Sequence, residues 1–74
     1  MASHQVLIAF GNKVRELRKS IGISQEELSF KANLHRTYIG MIERGEKNIT
    51  LVNVQKIANA FNVTLSDLFN ETKP

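Results

Sequence analysis

The segment SQEELSFKANLHRTYIGMIERG, residues 24–45, constrains the fold more than any other part of the chain. Ser24 is followed three residues later by Glu27, a capping-box pattern that starts a helix. Asn33 lies where a turn requires the left-handed conformation. Glycine adopts that conformation most easily, and asparagine is the next most tolerant residue type. Gly45 then ends a second helical stretch. The segment therefore predicts two short helices joined by a tight turn.

Helical periodicity also covers the rest of the chain. No Val/Ile/Thr run alternates with period two, and Pro74 is the only proline. A first helix over residues 5–20 is ended by Gly22 and has an apolar stripe of Val6, Phe10, Val14 and Leu17. In the central pair of helices the residues expected to face inward are Leu28, Ala32, Ile39 and Ile42, and those expected to face outward are Arg36, Thr37, Gly40 and Met41.

Two more helices follow a polar loop. Thr50 is placed to cap the fourth helix, whose buried stripe would be Leu51, Val54, Ile57, Ala58 and Phe61. Thr64 and Asp67 repeat the capping pattern before a fifth helix that carries Leu65, Leu68 and Phe69. The sequence thus predicts one compact all-α domain over residues 1–74, with residues 1–4 frayed and residues 71–74 forming a short tail.

Length and composition exclude several classes of protein. A chain of 74 residues with 42% hydrophobic residues forms one domain that is only marginally stable alone, so association with a second copy would help it. Without cysteine there is neither a disulfide nor a thiolate metal site, and His4 and His35 show no metal-ligand spacing, so we expect no metal and no cofactor. No apolar run reaches the roughly 18 residues of a membrane span and no signal peptide precedes the domain, which predicts a cytoplasmic protein.

The charge is distributed unevenly. The formal net charge is +3, which is compatible with a polyanionic partner. Of the ten basic residues, all but Lys56 and Lys73 lie between Lys13 and Lys47. The chain therefore combines a charged half with an apolar half that is suited to packing.

The central segment resembles the helix-turn-helix of the Cro and phage-repressor family. The resemblance rests on the apolar and small residues of the two helices, which are Leu28, Ser29, Ala32, Ile39 and Ile42. It extends to Gly22, to IERG at residues 42–45 and to TLSDLF at residues 64–69. It implies a lambda-repressor-like fold of five helices with the motif in helices two and three. It also implies that the third helix lies in the major groove of double-stranded DNA.

A narrower resemblance is to the controller proteins of bacterial restriction–modification systems. It rests on RTYI at residues 36–39, on IERG and on NITL at residues 48–51. Those proteins are small dimers that bind the promoter region of their own operon, so the resemblance implies a homodimeric transcriptional regulator on an inverted repeat. Similar sequences occur in phage repressors and in antitoxins whose main partner is another protein. Asn33 in place of the usual glycine and His35 in place of Asp or Ser are departures from the pattern.

The start of the third helix carries the candidates for reading bases. Arg36 can bond both acceptors of a guanine, or can instead meet a phosphate. Thr37 can contact a thymine methyl group or a phosphate. Met41 offers apolar contact, or is an ordinary surface or partly packed methionine. Tyr38 contacts DNA or packs between helices, and His35 contacts a phosphate or only caps the helix.

Other polar residues are candidates for gripping the DNA backbone. In the family, a glutamine matching Gln25 bonds a phosphate, and free N–H groups at a helix start favour an anion. Lys47 and Asn48, and with them Arg44, are placed to hold phosphates, which positions a protein without specifying sequence. The remaining basic residues of this half are expected to be solvated charges: Lys13, Arg15, Lys19 and Lys31.

Two further sets of residues have structural interpretations. Arg18 and Glu43 match an internal salt bridge of the family, and here they form either that buried pair or a loose surface pair of small energetic value. The last helices have more apolar residues than one small core needs. Val52, Val63 and Phe69 are therefore candidates for a dimer interface, although all three, and Phe69 in particular, can also belong to the core.

Two other functional classes fit less well. The chain has no nucleophile motif, phosphate loop or metal spacing, so we expect no enzymatic activity. RNA is disfavoured because the major groove of an A-form helix is too deep and narrow for this motif. RNA polymerase is a further partner that a transcriptional regulator can have, but no residue of the sequence can be assigned to that contact.

Overall fold

The fold is all-helical, as the sequence predicts. The computed structural model describes residues 3–69, with side chains from residue 5 onward. Within that range it has five helices: α1 (Ser3–Ser20), α2 (Gln25–Ala32), α3 (Arg36–Glu43), α4 (Leu51–Phe61) and α5 (Leu65–Phe69). The first helix already includes Ser3, so it begins earlier than expected, and the predicted tail at residues 71–74 lies outside the described residues.

The caps read from the sequence are present. The Ser24 hydroxyl accepts from the N–H of Glu27 at 3.0 Å, and the Glu27 carboxylate accepts from the N–H of Ser24 at 2.8 Å. Asn33 adopts φ 57° and ends α2, as predicted, and Asn62, which the sequence analysis did not single out, adopts φ 59° and ends α4 in the same way. Because each cap satisfies backbone groups that the short helices leave unpaired, the tight turns are specified locally.

The core forms where α1 packs on α3 and α5, while α2 packs on α3 and α4. Helix α3 lies between α1 and α2 and contributes Ile39 and Ile42, both almost fully buried. The other buried apolar residues are Phe10, Val14, Leu28, Ala32, Val54, Ile57, Ala58 and Leu68. Leu17 and Phe61 are partly buried against this core.

Two residues assigned to the apolar stripes are exposed, so those assignments are wrong. Leu51 is 71% exposed and Val6 is 45% exposed. Both have the correct helical spacing, but Leu51 is the first residue of α4 and Val6 lies near the start of α1. Periodicity identifies the inward face of a helix, whereas only the tertiary arrangement decides where the covering helices end.

The backbones of α1 and α3 meet at Gly11, a contact that the sequence pattern did not reveal. Gly11 is buried, and a Cβ atom on it would lie 2.3 Å from the carbonyl oxygen of Ile42 and 2.8 Å from that of Glu43. At Gly45, which has φ +72°, a Cβ atom would lie 2.8 Å from the side chain of Ile8. The end of α3 is therefore seated directly on α1, with no room for a side chain between them.

Gly11→Ala is expected to destabilise the domain although alanine favours a helix. Alanine gains about 1 kcal/mol of helix propensity, but overpacking against backbone atoms costs about 1–3 kcal/mol, and these carbonyl groups belong to a helix end that cannot rotate away. Because the clash is with backbone atoms, the cost should lie near the upper end of that range, which leaves a net loss of about 2 kcal/mol of unfolding free energy. Urea denaturation followed by circular dichroism measures it.

Asn12→Ala is the matched control, because Asn12 is the exposed neighbour on the same helix. It should be neutral or slightly stabilising. Equal stability of the two variants would contradict the close approach of α1 and α3.

Candidate nucleic-acid interface

The start of α3 presents a polar surface. His35, Arg36 and Thr37 are exposed, while Tyr38 and Met41, further along the helix, are half-buried. The opposite side of the same helix is the core face, with Ile39 at 0% exposure. Helix α3 is thus held from behind by packing, and its first turn is open to a ligand.

Gln25 and Arg44 lie close together although they belong to different helices. A Cβ atom on Gly40 would lie 3.2 Å from Nη1 of Arg44 and 3.7 Å from Oε1 of Gln25. Gly40, predicted to face outward, is buried, because these two side chains cover the position where its own side chain would be. Arg44 is the C-cap residue of α3 and Gln25 is the first residue of α2, so side chains from the end of one helix and the start of the other cover Gly40.

The loop after α3 is polar and exposed. Lys47 and Asn48 are both exposed, which is compatible with their predicted contact to a polyanion. Arg44 is exposed as well, and its Nε lies 3.0 Å from the carboxylate of Glu46. Hydrogen bonding to Glu46 raises the pKa of Arg44, so the guanidinium is a permanent cation. Glu46 competes with any phosphate for this cation.

His35 caps α3 through one ring nitrogen. Its Nδ1 accepts from the backbone N–H of Thr37 at 3.1 Å. Because a backbone N–H can only donate, Nδ1 carries no proton in this arrangement, and the neutral ring holds its proton on Nε2. The two interpretations of His35 are therefore compatible: it caps the helix and still offers an N–H group at the exposed surface.

Tyr38 likewise combines two interpretations. The side chain packs against the hydrophobic core, and its hydroxyl oxygen accepts from Nδ2 of Asn53 at 3.1 Å. Asn53 lies in the first turn of α4, so this bond links α3 to α4. The hydroxyl group keeps its own proton for a further partner.

Glu43 is held by several polar side chains of the described part of the chain. Arg18 donates to both of its carboxylate oxygens, from Nε at 2.7 Å and from Nη2 at 2.9 Å. The side chain of Glu43 is 0% exposed and that of Arg18 is 13% exposed, so the pair lies inside the protein. This bidentate pair ties α1 to the end of α3.

Two more residues contact Glu43 that the sequence did not assign to it. Arg15, predicted to be solvated, donates from Nη2 to the backbone oxygen of Glu43 at 3.2 Å, and its Nε lies 3.6 Å from the carboxylate. Gln25 donates from Nε2 to Oε1 of Glu43 at 3.0 Å. The spacing of Arg15 and Arg18, three apart on one face of α1, is the sequence signal that could have identified the first contact.

The surroundings of Glu43 keep it ionised. Burial by itself would raise the pKa of this carboxyl group, but hydrogen bonds from Arg18 and Gln25 and the charges of Arg18 and Arg15 outweigh it. The pKa of Glu43 is therefore lower than its ordinary value. Among the described side chains, no buried nitrogen or oxygen atom lacks a hydrogen-bond partner, so the network is complete.

Among the residues that the structure describes, no group of three His, Asp or Glu side chains is placed to hold a metal ion. Between residues 3 and 69, no helix combines the length and apolar character that a membrane crossing requires. The polar surface around α3 remains the candidate site.

Comparison with known proteins identifies the motif. The helix-turn-helix family matches residues 14–68, which include α2, α3 and all the residues around Glu43. The chain belongs to the helix-turn-helix family. Helices α2 and α3 are its helix-turn-helix motif, and Asn33 is in the turn between them.

Individual relatives confirm the narrower resemblance to controller proteins of restriction–modification systems. Control protein C.BamHI of Bacillus amyloliquefaciens is 45% identical over 71 residues, covering 95% of this chain and 88% of that protein. The crystal structure of the controller protein C.AhdI from Aeromonas hydrophila matches with a TM-score of 0.85 and 45% identity, covering 88% of this chain and 98% of that one. C.Esp1396I bound to a 25 base pair operator site matches with a TM-score of 0.79 and 33% identity, over 85% of this chain and 83% of that one.

The stability of this helix-turn-helix domain should fall in acid because of Glu43. Its folded pKa lies below the unfolded value near 4.5, so its stabilising effect is complete above that value and is lost as the pH falls through the folded pKa. We expect the unfolding free energy to decrease below about pH 5. Urea denaturation between pH 3 and pH 7 measures this dependence.

Glu43→Gln tests the assignment, with Glu16→Gln as the control at an exposed position on α1. Removing the charge leaves Arg18 buried without its counter-ion, so we expect a loss of about 3 kcal/mol at pH 7 and a weaker dependence on acid. Glu16→Gln should behave like the unaltered protein. A full acid dependence in Glu43→Gln would assign the effect to other carboxylates.

Proposed function

We propose that the protein is a sequence-specific DNA-binding transcriptional regulator, a controller protein that acts as a homodimer on an inverted repeat and regulates its own operon. The observation that carries this proposal is the placement of α3, whose rear face is core and whose first turn is open and polar. Such a helix can enter the major groove of B-form DNA with its N-terminal residues toward the bases. The relatives named controller proteins support the same function.

Arg36 is the main candidate for reading sequence. It is exposed in the first turn of α3, and its guanidinium can bond O6 and N7 of one guanine together. Thr37 follows it with a methyl and a hydroxyl group, and Met41 lies about one turn further on the same side. Together they offer hydrogen bonds and apolar contact to a short run of base pairs.

The residues around this helix would fix its orientation on the DNA. His35 presents its Nε2–H to an acceptor while its Nδ1 caps the helix. Gln25 has one N–H bonded to Glu43 and a second available for a phosphate. Arg44 and the loop residues Lys47 and Asn48 add charge and donors for the backbone. These contacts supply affinity and register rather than sequence preference.

A second copy would complete the site. Two α3 helices related by a two-fold axis would read half-sites about 34 Å apart. Val52 and Phe69 are 66% and 54% exposed, as interface residues should be, and Leu51 beside Val52 adds further exposed apolar surface. Phe69 also stacks on Phe10 at a centroid distance of 5.5 Å, so it serves the core as well. Val63 is half-buried against the core and is the weaker candidate.

The remaining expectations stay predictions. A cytoplasmic location, the lack of enzymatic activity and a contact with RNA polymerase all fit a regulator of this kind. A phage-type repressor, or an antitoxin whose main partner is another protein, is the alternative function. The DNA-binding experiment below separates a protein whose main partner is another protein from the proposal, because it measures binding to DNA directly.

Binding to the DNA upstream of the protein's own gene should be tight and steeply dependent on salt, because phosphate contacts release counter-ions. Arg36→Ala should reduce the preference for this DNA over random DNA by about 10–100-fold, the loss expected for one bidentate base contact. Fluorescence anisotropy at two salt concentrations measures both quantities.

Lys31→Ala is the control, since Lys31 is exposed on α2 and is expected to be a solvated charge. It should leave the preference unchanged. Weak binding of the unaltered protein, with no effect of Arg36→Ala, would reject the proposed function in favour of a protein partner.

Val52→Glu should shift a dimer toward monomer, because it places a charge in an apolar contact. Val52 is largely exposed in the described chain, so the folded monomer should lose little stability. A concentration series by sedimentation velocity checks the shift, with Gln55→Glu as the charge control, because Gln55 is exposed on the same helix and gains the same single negative charge. An unaltered protein that stays monomeric well into the high micromolar range would contradict the dimer.

A further inference from the structure

Tyr38 holds its hydroxyl group in a defined place. Its side chain is packed against the hydrophobic core from the middle of α3, in the same helix that carries the candidate reading residues. Its hydroxyl oxygen is bonded to the side chain of Asn53, which is half-buried. Packing fixes the ring, so the remaining freedom of the side chain is the direction of one O–H bond.

Asn53 is itself held in place by the start of α4. Its backbone N–H donates to the hydroxyl of Thr50 at 3.1 Å, which is the N-cap bond of that helix. Its Nδ2 donates to the Tyr38 hydroxyl at 3.1 Å. An NH₂ group can only donate, so the tyrosine oxygen is the acceptor in this bond. The amide thereby prevents the hydroxyl proton from pointing back toward α4.

The proton of the hydroxyl group has no acceptor among the residues that the structure describes. We propose that Asn53 is a positioning residue for DNA binding, which turns the Tyr38 O–H group toward an acceptor on the DNA. This inference rests on the proposed function. The acceptor is either a phosphate oxygen or an oxygen or nitrogen atom of a base edge. These are the acceptors that DNA presents to a helix in its major groove.

Two neighbouring side chains follow the same arrangement, which supports the inference. Gln25 uses one N–H for Glu43, and His35 uses Nδ1 for the backbone N–H of Thr37. In each case one polar atom is bonded inside the protein and one N–H remains for an outside acceptor. Side chains oriented in advance lose less freedom on binding, so such internal bonds raise affinity without touching the ligand.

The decisive variant is Asn53→Asp. A carboxylate can only accept hydrogen bonds, so the new side chain would accept the hydrogen bond of the Tyr38 O–H group. The hydroxyl would then have no donor left for the DNA. The change suits the fold, because residue 53 is the third residue of α4, where a negative charge interacts favourably with the helix start. Unfolding by urea should therefore show unchanged or slightly higher stability.

The reference variant is Tyr38→Phe, which removes the hydroxyl group, and the charge control is Gln55→Glu on the exposed side of α4. Binding is measured with the DNA upstream of the gene. After correction for the charge control, Asn53→Asp should weaken binding about 10-fold, as Tyr38→Phe does, because one hydrogen bond to the DNA is lost in each. The double variant Tyr38→Phe/Asn53→Asp should then bind no more weakly than Tyr38→Phe alone.

The outcomes separate the inference from the proposed function. Additive losses of affinity in the double variant, or unaltered DNA binding by Asn53→Asp, would overturn the proposed role of Asn53. If the original protein still binds this DNA tightly, the proposed function as a regulator stands. Failure of the original protein to bind this DNA would overturn both. The source of the acceptor follows from the sequence preference: loss of preference in Tyr38→Phe indicates a base edge, whereas a uniform loss on all DNA indicates a phosphate.

Discussion

The buried carboxylate of Glu43 is the interaction on which the rest of this domain depends. It lies at the end of α3 and is held by Arg18 and Arg15 from α1 and by Gln25 from the start of α2. A carboxylate without exposure to water is costly unless its oxygens are fully bonded to cations and donors. Since those donors come from two other helices, all the bonds to Glu43 can form together only in one relative arrangement of α1, α2 and α3.

The same arrangement prepares the surface proposed to meet DNA. Close contact at Gly11 brings the end of α3 onto α1, and the bond from Gln25 brings the start of α2 to it. Helix α3 is therefore held at its C-terminal end by charge and contact, and along its rear face by the core. Its exposed first turn can be rigid without being packed, which suits a helix that must match the groove of a stiff polymer.

Internal hydrogen bonds extend this rigidity to single side chains. Gln25, His35 and Tyr38 each have one polar atom engaged within the protein. The sequence presents DNA contact as an alternative to packing for Tyr38 and to helix capping for His35. The alternatives are compatible, because each side chain keeps a hydrogen-bond donor while another of its atoms is engaged within the protein. Asn53 is bonded to Tyr38 and Arg15 to Glu43, so each supports a residue that lies in or beside the candidate surface.

The sequence by itself determined the helices, the turn between α2 and α3 and the caps, because a capping box or the left-handed conformation of Asn33 involves residues at most a few positions apart. It also allowed the pairing of Arg18 with Glu43 and the choice of residues for the DNA surface to be predicted, through resemblance to known motifs. Only the tertiary structure decided the close contact at Gly11, the contact of Arg15 with Glu43 and the exposure of Leu51. These depend on which helix lies opposite and where it ends, distances that local periodicity does not contain.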